Sequence, residues 1–421
     1  MSAGLMSARS ANIVPGRDAT VVRLDGRAGG ERFAPGGAPT LRALAALAAP
    51  HADPARAVRR IGRVVASGVA EARVAGLSAH LSPGDVVLAG GVPALVARID
   101  RAVAVVAPDR PGARPDDTVE AVPPPPRADA SWLGRAVDPL GEPLDAAGPL
   151  LGATAPDHPP TSADDETAVT GVGLLDALVP VRFGEAWSVL GPAGSGRTGL
   201  LRMVAAAGAW DAVVVCALRA RSRERAAWLS PAANRLSVLT DPSAGPAECA
   251  LALTRAMAAA RDLARTHPRV ALLVDGAERL DRPVPPVPDV ATLVARRTAG
   301  AEHPMDHDAM DRDATNGDAM DGHEGAIVLD GTLAARGMHP AVDLAATLAL
   351  SPPPVNDDGT HGHLRSLAAI GEDVETLRLV RAAIAQSPPR DDVEAPDPGA
   401  IVTREALAAI VAGAGPASAP C

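Results

Sequence analysis

The sequence predicts an α/β protein: a parallel sheet with helices, preceded by a small β-barrel and followed by a helical C-terminal domain. Three observations lead to this fold class. Residues 61 to 122 are short apolar runs separated by turn residues, which is typical of a small barrel or sandwich. Residues 170 to 280 alternate apolar strands with helical segments, as a parallel sheet requires. Residues 363 to 387 and 403 to 413 have apolar positions at helical spacing.

The chain begins with an extension and the barrel. Residues 1 to 57 are rich in Gly, Ala, Arg and Pro, and we interpret them as poorly ordered, with one short helix at 40 to 49. The barrel is expected to cover residues 58 to 126. It ends in consecutive prolines at 123 to 126, which favour a stiff, extended linker.

The sheet domain is expected to cover residues 127 to 345. Its first clear strand, Trp187 to Leu190, runs into a glycine-rich turn and a helix. Further buried strands are predicted at 212 to 216, 236 to 239 and 270 to 274. The helical C-terminal domain takes residues 346 to 421.

A polar, low-complexity segment interrupts the sheet domain. Residues 303 to 323 contain the tetrapeptide Asp-Ala-Met-Asp twice and are rich in His and Asp. His and Asp can bind a divalent cation, which is one interpretation of this insert. Because no ligand spacing repeats in it, we favour the other interpretation, a solvated loop.

The glycine-rich turn has the composition of a phosphate-binding loop. It reads Gly191-Pro192-Ala193-Gly194-Ser195-Gly196-Arg197-Thr198 and stands between a predicted strand and a predicted helix. Small residues let backbone N–H groups surround phosphate oxygens, and the helix N-terminus favours negative charge. Thr198 stands where a hydroxyl would bind Mg²⁺. Arg197 replaces the usual lysine, and its planar guanidinium is no substitute for a compact ammonium. A glycine-rich turn that binds nothing is the alternative.

A second candidate site residue ends an apolar strand. Val270 to Val274 is followed by Asp275, whose carboxylate could hold a water molecule on Mg²⁺. We expect this strand to neighbour the phosphate-loop strand in the sheet. An apolar strand that ends in Asp is common, so this candidate depends on the phosphate loop.

Composition excludes some classes of function. The net charge is −10, which argues against a nucleic-acid-binding surface. All 40 basic residues are arginine, and the chain contains no tyrosine. The three cysteines, Cys216, Cys249 and Cys421, are too scattered for a disulfide framework or a metal cluster. No apolar run reaches the roughly 18 residues of a membrane span, and no signal peptide is evident, so we expect a cytoplasmic protein.

Three further segments extend the pattern around the phosphate loop. Leu133 to Asp145 reads LGRAVDPLGEPLD, Thr170 to Glu185 reads TGVGLLDALVPVRFGE, and Ile327 to Asp343 reads IVLDGTLAARGMHPAVD. Together with the loop, they resemble the flagellar and type III secretion export ATPases, a group within the rotary ATP synthase α/β family. The resemblance extends from about residue 60 to residue 390.

The resemblance implies a RecA-like P-loop nucleotide-binding domain with ATP and Mg²⁺ as cofactors. It also implies a homo-hexamer or mixed ring that works with the stalk and gate components of a protein export apparatus. The implied location is the cytoplasm or the inner face of the membrane export machinery.

The same resemblance reveals departures at catalytic positions. The family has a catalytic Glu in the run G-E-R-G-R-E. Arg221 to Glu224 matches the last four positions of that run, and Ala220 stands where the Glu is expected. Leu350 stands where the family has its arginine finger. The insert at 303 to 323 stands where the family has another buried strand, so we expect a shortened sheet.

Two functions of different classes remain open. The first is an export ATPase with slow hydrolysis, in which Arg197 and Glu224 are the candidate catalytic residues. For Glu224, a salt bridge on a helix surface is the alternative role. The second function is a non-catalytic ring subunit or a decaying paralogue of such an ATPase.

Overall fold

The computed structural model of the chain describes residues 60–351, apart from 69, 102, 111–112, 123–126, 146, 149, 151–166, 180, 207–209 and 299–322. The predicted N-terminal extension, the proline linker and nearly all of the insert lie outside the described residues. So does the helical C-terminal domain beyond residue 351. These elements and the domain boundaries stay predictions.

Six antiparallel strands close into a barrel. They are β1 (Ile61–Ser67), β2 (Ala72–Ala75), β3 (Val86–Ala89), β4 (Val92–Asp100), β5 (Val103–Pro108) and β6 (Thr118–Ala121). Their order is β1-β2-β5-β4-β3-β6, and β6 pairs with β1 to complete the ring. Alternation fills the interior: in β1, Val64 is buried whereas Arg63 and Val65 are exposed. The barrel prediction is confirmed.

A seven-stranded parallel sheet follows the barrel. Its strands are β7 (Ala136–Val137), β8 (Ala186–Gly191), β9 (Ala212–Ala217), β10 (Arg235–Leu239), β11 (Val270–Asp275), β12 (Val290–Arg297) and β13 (Gly325–Val328). Their order is β13-β8-β12-β11-β9-β10-β7, and every neighbouring pair is parallel. All residues of β8 and β9 are buried, as central strands covered on both faces must be.

Two expectations about this sheet are wrong. The sheet is not shortened, because β12 lies between β8 and β11, directly before the insert. For the same reason, the strand that ends in Asp275 is not the neighbour of the phosphate-loop strand but one strand further away. The buried run from Val290 to Ala295 forms most of β12, although a proline-rich stretch at 283 to 288 precedes that strand.

Helices cover both faces of the sheet. In the described part of the chain they are α1 (Gly173–Leu178), α2 (Arg197–Ala206), α3 (Ser222–Leu229), α4 (Pro246–Ala264), α5 (Gly331–Ala335) and α6 (Leu344–Leu350). In β9, Val213 and Val215 belong to the core that includes α2 and α6, whereas Val214 and Cys216 belong to the core that includes α4. None of the described helices is both long and apolar enough to cross a membrane.

The barrel contacts the sheet domain at the N-terminus of α4. Asp109 lies in the loop after β5, and its carboxylate accepts hydrogen bonds from the backbone N–H groups of Ala247 and Glu248, at 2.8 and 2.7 Å. These N–H groups have no partner within the helix. A barrel residue therefore caps a helix of the sheet domain.

Candidate functional site

The glycine-rich loop turns from β8 into α2 at the carboxyl edge of the sheet. Gly194 and Gly196 have φ angles of 84° and 93°, in the left-handed region that other residues rarely adopt. These two glycines curl the loop around the first turn of α2. The N–H groups of that turn have no intrahelical partners, so they are available to an anion.

A cavity of about 380 Å³ opens beside this loop. It lies where the carboxyl ends of β8, β9, β11 and β12 meet, which is where ligands bind in open parallel sheets. Its charged lining consists of seven arginines (Arg197, Arg202, Arg219, Arg221, Arg223, Arg279 and Arg297) and three carboxylates (Glu224, Asp275 and Glu278). The excess of arginine favours an anionic ligand such as a phosphate.

Arg197 begins α2 and contacts a carboxylate of its own chain. Its Nη1 lies 3.9 Å from Oε2 of Glu278. The same oxygen accepts a hydrogen bond of 3.1 Å from the backbone N–H of Arg297. Burial lowers the pKa of Arg197, and the nearby Glu278 and Asp275 oppose that shift. Glu278 therefore partly neutralises the cation that replaces the usual lysine.

Asp275 and Thr198, the two residues predicted to hold Mg²⁺, lie together. Burial raises the pKa of Asp275 to about 6, while a hydrogen bond with the Thr198 side chain opposes the rise. The negative charge of Glu224 raises this pKa further. A hydroxyl and a carboxylate thus converge beside the phosphate loop, and both are ligand types that suit Mg²⁺.

Glu224 lies in the first turn of α3 and lines the cavity. Its Oε2 accepts a hydrogen bond of 3.0 Å from the backbone N–H of Arg221, which caps α3. Within the part of the chain that the structure describes, Glu224 forms no salt bridge. The expected surface ion pair is therefore replaced by a helix cap that points toward the cavity.

The two substituted positions lie in different places. Ala220 is buried and lines the cavity, where it presents only a methyl group. Leu350 is the last residue of α6 and does not belong to the cavity lining. The structure therefore brings Arg197, Thr198, Glu224 and Asp275 together but leaves Leu350 apart.

Comparison with known proteins identifies similar proteins but no matching family model. The chain is 27% identical over 401 residues to the flagellum-specific ATP synthase of Agrobacterium fabrum. That alignment covers 81% of this chain and 83% of the relative. It is 26% identical over 398 residues to the flagellum-specific ATP synthase of Rhizobium meliloti, and the alignment covers 81% of this chain and 84% of that relative. The chain is thus similar to flagellum-specific ATP synthases over about four fifths of its length.

The cavity offers groups that suit phosphates and a metal ion but none that would stack on a nucleotide base. Thr198 and Asp275 supply two oxygens that suit Mg²⁺, and the loop supplies backbone N–H groups. Within the described residues, no cluster of three or more His, Cys, Asp or Glu could by itself hold a metal. None of the lining residues is aromatic, so the cavity offers no ring to stack on adenine.

Half of the charged lining was not predicted from the sequence. Arg202, Arg219, Arg279 and Arg297 join the cavity, together with Glu278. A signal was present, because Arg219, Arg279 and Arg297 each lie at or just after the carboxyl end of a strand. Those ends share one edge in a parallel sheet, so residues at them converge once the strand order is known.

Proposed function

We propose that this chain is a nucleotide-binding subunit of a flagellar or type III protein export apparatus, with weak or lost ATP hydrolysis. The observation that carries this proposal is the arginine-lined cavity at the phosphate loop, whose wall has Ala220 in place of a carboxylate. The flagellum-specific ATP synthases that the chain resembles supply the biological setting.

Nucleotide binding is assigned to the loop and its immediate neighbours. Backbone N–H groups of the loop between Ala193 and Thr198 would surround the phosphates, and Arg197 would contribute charge to the β and γ oxygens. Thr198 and Asp275 would hold Mg²⁺, which would neutralise phosphate charge when bound. The convergence of these groups on one cavity supports the assignment.

Weak hydrolysis follows from the absence of two catalytic groups. A carboxylate at position 220 would orient the attacking water, whereas alanine cannot. Glu224 is a poor substitute, because one of its oxygens already accepts the helix-capping hydrogen bond. An arginine finger contributes roughly 10³- to 10⁵-fold in related chemistry, and Leu350 stands in its position. At about 3 kcal/mol each, the two losses would leave little catalysis, although such effects need not add.

The setting comes from the family resemblance alone. The proposed partners are the stalk and gate components of the export apparatus, and the proposed assembly is a homo-hexamer or mixed ring. The proposed location is the cytoplasm or the inner face of the membrane export machinery.

A second candidate function is a structural ring subunit, or a decaying paralogue, that binds no nucleotide. The contact between Arg197 and Glu278 favours it, because a phosphate would have to compete with that carboxylate for the guanidinium. At 3.9 Å the contact is longer than a strong charge-assisted hydrogen bond, so we prefer nucleotide binding.

Nucleotide titration of paired glycine variants separates the two functions. Gly196 and Gly337 both have positive φ, and an added Cβ would meet no atom within 4 Å at either position. Both alanine variants therefore strain the backbone by a similar amount, but only Gly196 belongs to the phosphate loop.

The readout is the affinity of the purified full chain for fluorescent ADP in the presence of Mg²⁺. We expect Gly196→Ala to weaken binding by about tenfold or more, and Gly337→Ala to bind like the unmodified chain. Absent binding in the unmodified chain would favour the structural subunit. Equal binding by the unmodified chain and both variants would show that nucleotide does not bind at the phosphate loop and would overturn the assignment.

A further inference from the structure

We infer that Glu278 is an internal counter-ion of Arg197 which a nucleotide must displace, so that this carboxylate limits the affinity of the site. This inference rests on the proposed nucleotide binding and adds a residue that regulates it. Three observations support it: the turn that fixes Glu278, the contacts of its carboxylate, and the position of Arg197 in the phosphate loop.

The backbone after β11 is fixed in a turn that brings Glu278 to the cavity. Gly276 has a φ of 88°, in the left-handed region. A Cβ at this position would lie 2.7 Å from the carbonyl oxygen of Leu218, so the turn also needs glycine for lack of space. A 3₁₀ helix, Ala277–Arg279, comes next, in which Ala277 is fully buried and Glu278 lines the cavity. The backbone of Glu278 therefore has little freedom to move away from the cavity.

The carboxylate of Glu278 contacts two arginines. Its Oε2 accepts a hydrogen bond of 3.1 Å from the backbone N–H of Arg297 and lies 3.9 Å from Nη1 of Arg197. The side chains of Arg197 and Glu278 are only 16% and 23% exposed, so solvent screens their attraction less than it would at the surface. The carboxylate thus neutralises part of the charge that Arg197 would offer to a phosphate.

A phosphate would have to take the place of this carboxylate at the guanidinium. Arg197 begins α2 within the phosphate loop, so its side chain is available to a phosphate only when it leaves Glu278. Binding would therefore exchange one anion for another, and the attraction lost to Glu278 subtracts from the free energy of binding. At 3.9 Å the contact is longer than a strong charge-assisted hydrogen bond, so the exchange weakens binding without preventing it.

The sign of a mutational effect distinguishes this role from a structural one. Replacing a residue that only supports the cavity should weaken nucleotide binding, whereas replacing an internal competitor should strengthen it. Glu278→Gln is the most suitable change. The amide keeps the size of the side chain and an oxygen that can accept the hydrogen bond from Arg297, and only the negative charge is lost.

Titration of the purified full chain with fluorescent ADP in excess Mg²⁺ provides the measurement. We expect Glu278→Gln to lower Kd by about threefold or more, because Arg197 no longer pairs with a carboxylate. Glu142→Gln is the matched control, since it removes the same charge from an exposed residue outside the cavity and should leave Kd unchanged. Circular dichroism establishes that each variant is folded.

A double-mutant cycle tests whether Glu278 acts through Arg197. Arg197→Gln and the double variant Arg197→Gln, Glu278→Gln are titrated up to roughly millimolar ADP, because loss of the guanidinium weakens binding. We expect the second change to alter Kd by less than about threefold in this background, since no guanidinium remains to be released. A gain of about threefold or more would show that Glu278 acts by repelling phosphate directly, and would overturn the inference.

Failure of the inference and failure of the proposed function give different results. Binding by the unmodified chain that Glu278→Gln tightens by less than about threefold, or weakens, would overturn the inference and leave the proposed function intact. Binding by the variant but not by the unmodified chain would support the inference and overturn the proposed function. Binding by neither protein would overturn both.

Discussion

The identity of single side chains around the phosphate loop determines what this cavity can do. Every basic residue of the chain is arginine, so Arg197 conforms to a bias of the whole protein and is by itself weak evidence for lost activity. Ala220 and Leu350 are different, because a preference for arginine over lysine explains neither of them. The proposed loss of hydrolysis therefore depends more on these two positions than on the loop.

Arg197→Lys alone should not restore ATP hydrolysis. The change returns the usual ammonium to the loop, but Ala220 still supplies no carboxylate and Leu350 no arginine. We expect the rate of phosphate release from purified protein to change by less than about tenfold. The comparison is the triple variant Arg197→Lys, Ala220→Glu, Leu350→Arg. Full rescue by the single change would show that positions 220 and 350 are wrongly aligned with the family.

The partly buried carboxylate of Asp275 should make the stability of the fold decrease as pH rises. Its pKa is raised from 3.8 to about 6 in the folded chain, so the folded state holds the proton more tightly than the unfolded state does. The ionisation penalty is absent below about pH 4 and complete above about pH 6. Asp275→Asn removes it. We expect that variant to be more stable than the unmodified chain by about 1–2 kcal/mol at pH 8, and no more stable at pH 4.

Urea denaturation at the two pH values measures this difference, and Asp145 provides an opposite control. Hydrogen bonds from the Arg135 side chain lower the pKa of Asp145 to about 2. That carboxylate stabilises the fold above about pH 4, and its contribution is lost as pH falls toward 2. Asp145→Asn should therefore destabilise the chain at pH 8. A stability difference for Asp275→Asn that does not depend on pH would contradict the account.

At the scale of elements, the N-terminus of α4 is capped by a residue of the barrel, Asp109. Asp109→Ala removes the acceptor for the N–H groups of Ala247 and Glu248 and leaves them without that partner. We expect a loss of about 0.5–2 kcal/mol in the free energy of unfolding, measured with urea. Asp109→Asn keeps an acceptor oxygen and should lose less. Equal stability of all three proteins would show that the cap contributes nothing.

Several elements of the sheet could be predicted because their evidence is local. The runs that form β9, β10 and β11 are apolar and bounded by turn residues, and the phosphate loop is one continuous segment. The strand β12 was missed because prolines precede it and arginines end it. The two-residue strand β7 is too short to have a detectable period.

The cavity could be predicted only in part, since it combines residues that are distant in sequence. The loop and Asp275 were found from local patterns. Arg297 reaches the same edge only because β12 inserts between β8 and β11, and the sequence alone does not reveal that order. Likewise, Glu278 becomes a neighbour of Arg197 only after β11 takes its place in the sheet.

At the scale of the whole molecule, the scaffold and the chemistry have diverged to different extents. The barrel and the parallel sheet are complete in the described residues, and about four fifths of the chain aligns with the flagellum-specific ATP synthases. The changes proposed to affect hydrolysis lie at two catalytic positions, Ala220 and Leu350. A protein with this fold and an arginine-lined cavity suits the proposed role in binding more than a role in turnover.

The fate of bound ATP tests this account most directly. The purified chain is incubated with labelled ATP, the complex is isolated by rapid gel filtration, and the bound nucleotide is identified after denaturation. We predict that the chain retains nucleotide and that it is recovered as ATP, even after long incubation. Recovery as ADP, at a rate that matches an intact flagellum-specific ATP synthase assayed alongside, would contradict the account.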